Sequence, residues 1–250
     1  MIVMSGSSTF TDRPSAALAA TADAFMRAGD RGREAAARFE LGSHLFHLNR
    51  VDDAFEQLSR AAELFDQAGL AAPAAQALLG CGHAMTTAGR AGDGLVWFDR
   101  AISGFARAGD GAGELEASAA KLETLADLDR WSDTELSEKI IAATRHTADP
   151  RLLTFRLVVF RYRTQARLAA GDPVGSLEPA RRAADVAGRL GDRGIEATFR
   201  LALAHNLRIL RDFEAAAREY EQVVSLASDL PGAAGLEEQA LIGLKVTLDG

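Results

Sequence analysis

Asp52-Asp53-Ala54-Phe55-Glu56 sets three carboxylates within five residues. His44 and His47 stand three apart on what reads as one helix, and Cys81-x-His83 follows about one repeat later, all residue types that bind zinc. Both sets have a plainer reading. Asp52 falls where a helix needs a cap, and acidic residues in a first turn face the positive end of the helix dipole. Zinc needs four protein ligands or three plus water, and no further Cys and no His-Glu-x-x-His pattern supplies them. The sequence has no Gly-x-Ser-x-Gly elbow, Gly-rich phosphate loop or dinucleotide fingerprint. No cofactor or metal is expected, and the chain reads as non-catalytic.

The elements that would position these residues are helices. Much of the apolar content is Ala, Val and Ile are sparse, and there are only 6 Pro in 250 residues, a balance that favours helix over strand. A net charge of -7 argues against a nucleic-acid surface, which needs a basic footprint. Only Lys121, Lys139 and Lys245 are Lys and the other basic residues are Arg; with the abundant Ala, this fits a GC-rich bacterial genome. The single Cys81 fits a reducing compartment, no secretory signal opens the sequence and no apolar run approaches a membrane span, so a cytoplasmic, membrane-free protein is expected.

Gly29-Asp30-Arg31-Gly32 recurs as Gly191-Asp192-Arg193-Gly194. Gly29, Gly69 and Gly109 are 40 apart, Asp149-Pro150 continues the beat, and Gly191 to Pro231 is 40 again; only the interval from Asp149 to Gly191, 42, is off. A fixed period of this size marks stacked copies of one small unit. Residues 1–13 are expected to be a flexible tail, with Pro14 opening a helix that stops at Gly29 and a repeat domain occupying 14–250. The first helix pair is expected from Arg33 to a turn at Asn49-Arg50, with its second helix capped by Asp52 and ending at Gly69; the next are expected at about 72–89 with 93–108, 112–129 with 132–147, 150–170 with 173–190, and 193–210 with 213–228, with a last helix at 233–248. Leu41, Leu45 and Leu48 form one buried stripe. Asp52, Asp93, Asp149, Asp172 and Asp212 are expected caps; Ser132 with Glu135 reads as a capping box, stapled by Trp131 and Leu136. Pro179 predicts a kink or a late helix start after Ser176. On the last helix Leu236, Ala240, Leu244 and Leu248 are expected to cover the fifth pair, with Glu237, Glu238 and Lys245 in water.

The pairs resemble the tetratricopeptide repeat (TPR) family in a longer-helix form. Its Leu-Gly-x-x-Tyr, Ala-x-x-x-Phe, Ala pattern is matched by Leu41-Gly42-x-x-Leu45, Ala54-x-x-x-Leu58 and Ala61. It recurs as Cys81-Gly82-x-x-Met85, Gly94-x-x-x-Phe98 and Ala101, and as Leu203-Ala204-x-x-Leu207, Ala216-x-x-x-Tyr220 and Val223. Small residues stand at each second-helix crossing: Ala54, Gly94, Thr134, Ser176 and Ala216. Arg38 replaces the family's early Trp, and Gly-Asp replaces its terminal Pro. The resemblance implies an all-α, right-handed α-solenoid of about five antiparallel helix pairs with flanking helices. The acidic run at Asp52 is similar to the magnesium motif of class I terpene cyclases, which implies the rival reading of a small all-helical enzyme. Helical arrays of this length also serve as sensor portions of bacterial transcription regulators, a further alternative.

In the TPR architecture the first helix of each pair lines the concave face. The residues this implies for the groove are Phe39, Ser43, Phe46 and His47, then Leu79, His83, Thr86 and Thr87, then Glu116, Glu123 and Asp127, and last Leu201, His205, Arg208 and Ile209. In the fourth pair a buried stripe of Phe155, Val159, Tyr162, Ala166 and Ala169 would turn Phe160, Thr164 and Arg167 toward the groove, or Arg161 in a shifted register. Mixed aromatic and polar residues suit peptide capture. The expected function is a protein- or peptide-binding scaffold or adaptor, with an anionic ligand group near Arg208 and any basic part toward Glu123.

Overall fold

A residue in the left-handed region closes nearly every helix of this chain, and its recurrence sets the architecture. The computed structural model describes residues 13–131 and 133–249. Among them twelve helices follow one another with no strand: α1 (Arg13–Ala28), α2 (Arg31–His47), α3 (Val51–Gln67), α4 (Ala71–Thr87), α5 (Ala91–Ala108), α6 (Gly111–Asp127), α7 (Thr134–Thr144), α8 (Pro150–Ala169), α9 (Pro173–Leu190), α10 (Arg193–Ile209), α11 (Phe213–Ala227) and α12 (Ala234–Leu248). Gly29, Gly69, Gly109 and Gly191 take φ between 70 and 74°, as do the intervening Gly89 and Gly171 within a few degrees. Asn49, Asp129 and Arg211 hold the same conformation at φ 59, 54 and 63°. The residue after each donates its N–H five residues back, as in Asp30 to Phe25 O, Arg90 to Met85 O and Asp212 to Leu207 O. This is the Schellman closure, which satisfies carbonyls the helix leaves open.

The twice-used Gly-Asp phrase is a joint of this kind. Gly29 and Gly191 end one helix, and Asp30 and Asp192 cap the next with the same φ −86° and ψ 84°, accepting from Arg33 N and Ile195 N. Asp149, Asp172 and Asp212 also cap as expected. Asp52 and Asp93 do not. The N-cap positions there are Arg50 and Arg90, without a side-chain cap bond. Their guanidinium groups instead reach Asp53 and Asp93, with Nε contacts of 2.7 and 3.0 Å. Ser132 lies outside the described residues; the cap of α7 is Asp133, accepting from Leu136 N at 3.2 Å. Residues 1–12 of the expected tail are likewise outside, and α1 begins at Arg13. Pro179 neither delays nor divides α9, which runs from Pro173 because Asp172 caps it and Pro173 sits at its first position.

Within α1–α5 and within α7–α12 each helix packs against the next, the all-α α-solenoid arrangement, and the pairs resemble TPR units. Two compact units divide at Thr124 and Leu125. In the first, α1–α5 and most of α6 enclose a core of Leu64, Phe65, Leu79, Phe98 and Phe105 filled in by Ala61, Ala75, Ala77, Ala101 and Ala117. The close approach depends on missing side chains. A Cβ on Gly42 would come 2.7 Å from Leu58, and one on Gly82 2.4 Å from the Phe98 ring. Ala54, Gly94, Ser176 and Ala216 are buried at their crossings. Thr134 is exposed, and Ser137 is the buried small residue of the short α7.

The second unit, from Leu125, repeats the logic. Tyr220, Leu203, Ala204, Leu207, Ala216 and Val223 form one core, and Leu153, Phe160, Ala183, Val186 and Phe199 another. Asn206 reaches the Ser176 hydroxyl at 3.1 Å inside it. Tyr162 ties down the segment before α7: its hydroxyl donates to Arg130 O and accepts from Asp133 N, both at 3.1 Å, and Trp131 lies on its ring at 5.3 Å. Arg38, where the family has Trp, joins its pair by an ion pair to Glu34 at 2.8 Å and a hydrogen bond donated to the Gln57 amide oxygen at 2.9 Å. Arg200 does the same 162 residues on, holding Glu196 and Glu219. The off-beat 42-residue interval contains α8, 20 residues long against 17 for α2, α4, α6 and α10.

Two apolar stripes end differently from expectation. Leu48 is 44% exposed, because the helix has already closed at His47 and Leu48 is its C-cap. On α12, Ala240 is buried and Leu236 and Leu244 pack on the core, but Leu248 is 71% exposed. Gly243 and Thr247 take the buried face instead, since Gly243 lets the helix lie directly on the Tyr220 ring.

Candidate functional site

Within the first unit, the first helices of successive pairs leave a cavity of about 430 Å³. Phe39, Ser43, Phe46 and His47 enter it from α2, Gln76, Leu79, Gly80 and His83 from α4, Glu116 from α6, and Leu58 of α3 closes the floor. The volume lies in the range that holds a few side chains of a ligand. The helical spacing explains the convergence. Ser43 and His83 occupy the same repeat position 40 residues apart, as do Phe39 and Leu79, and Gln76 and Glu116. Each projects beside the buried stripe that holds its helix in the stack.

His83 sits edge-on to the buried Phe98 ring at 5.3 Å and 71°. Its surroundings depress the imidazole pKa by desolvation, against the pull of the Glu116 carboxylate. The ring is therefore neutral at pH 7, able to donate from one nitrogen and accept at the other. Phe46 and His47 meet in a T-shaped pair at 6.3 Å. The site thus combines apolar walls, neutral hydrogen-bonding groups and one carboxylate. Beside it, Cys81 is fully buried with its thiol pushed up to about 12, so it is no nucleophile at neutral pH.

Seven of the residues expected in the groove meet here: Phe39, Ser43, Phe46, His47, Leu79, His83 and Glu116. Leu58, Gln76 and Gly80 were not foreseen. The 40-residue step from Glu116 back to Gln76 was the available signal. Gly80 keeps the floor open, since a Cβ there would meet Leu58 at 3.1 Å. Thr87, Glu123 and Asp127 are exposed and do not line this cavity. Thr86 turns its hydroxyl back onto Gly82 O.

In the second unit, Arg167 is exposed and paired with Asp172 at 3.2 Å. Phe160 and Thr164, expected to face a groove, are buried: the core of α8 takes Leu157, Val158, Val159 and Phe160 together, wider than a single stripe. Ala169 of the expected stripe is exposed, and Phe155 and Ala166 are half-buried. Leu201 belongs to the core around Tyr220, Ile209 is exposed, and His205 and Arg208 line a separate small cavity.

A larger groove, about 740 Å³, runs between α3 and α5 and was not expected from the sequence. Trp97 forms one wall, with Arg100 over its face at 4.5 Å and Phe55 at its edge at 5.3 Å. Much of its charged rim is already matched, Glu63 by Arg60 and Asp99 by Lys121, each at 2.9 Å. Phe55 of the acidic run is thus a packing residue and Asp53 is held by Arg50. Among the described residues no group of three or more His, Cys, Asp and Glu is placed to hold a metal.

The chain matches no family model and no curated protein. Among solved structures it is similar to the Rap conjugation gene regulator of plasmid pLS20 in complex with the Phr* peptide, at 11% identity and TM-score 0.49, over 99% of this chain and 80% of that one. It is also similar to residues 1–338 of Acl4, an assembly chaperone of RpL4, at 14% identity and TM-score 0.49, over 94% and 98% of the two chains. A tetratricopeptide repeat protein from Parabacteroides merdae is similar at 10% identity and TM-score 0.40, over 91% and 98%.

Proposed function

We propose that this chain is a non-catalytic peptide-binding module, a scaffold or adaptor that holds a segment of another protein in the cavity between α2, α4 and α6. One observation carries the reading: two aromatic rings, two histidines, a serine hydroxyl and a carboxylate, from three helices one repeat apart, converge on one cavity of about 430 Å³. Helices fix such side chains before a ligand arrives, so little ordering cost opposes binding. Phe39, Phe46 and Leu79 offer apolar contact, and Ser43, His47 and His83 offer hydrogen bonds to peptide groups. Glu116, with Glu123 further along α6, favours a basic residue in the ligand. Net charge -7 supports a protein ligand over nucleic acid, and the single buried Cys81 supports a cytoplasmic setting.

The test is a selection of random unstructured peptides on the full chain, followed by titration of the winners against Phe39→Ala and His83→Ala. Each variant is expected to weaken binding about fivefold or more, the threshold of an anchoring contact, while circular dichroism stays unchanged. Winners that bind both folded variants as they bind the wild type would overturn the proposal.

A further inference from the structure

The meeting point of α10, α11 and α12 holds a further, smaller cavity of about 220 Å³. Tyr220 closes it, fully buried, and its hydroxyl has no hydrogen-bond partner. Arg208 enters from α10, and its Nε is also buried and unpartnered. Only three buried side-chain polar atoms stand unpartnered among the described residues, and two of them are at this cavity. Such atoms are costly unless something supplies the missing bond. The Arg208 guanidinium stands within hydrogen-bonding reach of the Tyr220 oxygen, and that contact and its charge oppose in part the rise that burial imposes on the phenol pKa. It does not make a hydrogen bond of good geometry to it.

The rest of the lining narrows the ligand. His205 lies edge-on to Tyr220 at 5.6 Å, and burial and the Arg208 charge lower its imidazole pKa. Gln239 offers an amide. Ile242 and Val246, 58% and 52% exposed, make an apolar rim on α12. A guanidinium only donates and a phenol donates as well as accepts, so one acceptor serves the Arg208 Nε–H and the Tyr220 O–H together, and the guanidinium asks for negative charge. One cation with an apolar rim suits a singly charged group on an aliphatic body better than phosphate, which draws on several cationic donors. We infer that this cavity binds a carboxylate between Arg208 and Tyr220, with the ligand's aliphatic part resting on Ile242 and Val246. The inference concerns the second unit alone and stands whether or not the α2–α4–α6 cavity binds peptide.

The probe is N-acetylleucine, titrated into the full, nitrogen-labelled chain while the Arg208 Nε–H and Gly243 N–H resonances are followed. A saturable shift with a dissociation constant of about 1–10 mM is expected, and about tenfold weaker binding for N-acetylleucinamide and for inorganic phosphate. Arg208→Gln and Tyr220→Phe should each weaken N-acetylleucine about tenfold. Tyr220→Phe keeps the ring and its packing, so the folded variant isolates the hydroxyl. Isocaproate, which lacks the peptide group, separates two sources of the same carboxylate: equal affinity points to a free aliphatic acid, weaker binding to a peptide C-terminus read by Gln239. The assignment fails if no saturable shift appears, if the amide or phosphate binds as tightly, or if both folded variants bind as the wild type does.

Discussion

Gly82 and Arg211 show how single residues set this fold, one by lacking a side chain and one by tolerating a strained backbone. A Cβ on Gly82 would stand 2.4 Å from the Phe98 ring, in a core where Phe98 is nearly fully buried. Gly82→Ala is therefore expected to destabilise by about 1–3 kcal/mol through overpacking, even though Ala is the better helix former. Arg211 holds φ 63° where most sister turns have Gly. Arg211→Gly should stabilise by roughly 1 kcal/mol, the cost of a left-handed L-residue. Denaturant unfolding of the two variants reads both signs. The histidines set a pH dependence. His83 and His205 both have pKa values below the ordinary 6.5, chiefly from desolvation. The unfolded chain then binds protons that the folded chain refuses, so their contribution is full above 6.5 and is lost as pH falls toward the folded values. Melting temperature should drop on acidification through that window, and the double variant His83→Gln, His205→Gln should flatten the drop.

At the scale of elements, the joint between helices was legible because its chemistry is local. Glycine at the left-handed position and aspartate at the next cap appear in the sequence as a 40-residue beat, and helix boundaries follow to within a few residues. Where the joint uses Arg50 or Arg90 in the cap position, the same Asp that reads as a cap turns out to be an ion-pair partner one turn in. Sequence spacing does not separate these roles, since both place Asp near the helix start. The exposure of Leu248 on α12 and the burial of Phe160 on α8 were missed for a different reason. What a helix buries depends on its neighbour, and Gly243 beneath Tyr220 or Phe160 in the α8 core is decided by packing across helices. Because α4 and α5 form one such pair, packed on each other and on α3, removing 70–109 should leave a folded chain. That deletion joins Gly69 to Asp110, recreating the Gly29-Asp30 joint. Circular dichroism per residue should stay near that of the parent; collapse of the helical signal would show that the pairs are not modular.

At the scale of the molecule, most of the candidate site could be read in advance because it repeats. Phe39 with Leu79, and Ser43 with His83, are copies of one position, so the period that fixes the fold also brings the site together. The α3–α5 groove was invisible to that reasoning, because Trp97 has no repeat-related aromatic to mark it. The small cavity under Arg208 was half visible: the charge was plain in the sequence, but its unpaired Nε and the buried Tyr220 hydroxyl were not. Among the described residues, no helix is long and apolar enough to cross a membrane. The central claim is that the α2–α4–α6 cavity receives a peptide. Ser43→Trp tests it most directly, since an indole there would occupy the cavity from its half-buried wall. With a peptide selected on the wild-type chain, calorimetric titration of this variant should show binding lost by about a hundredfold or more, equivalent to roughly 3 kcal/mol, with an unfolding curve like the parent's. Wild-type affinity in the folded variant would contradict the account.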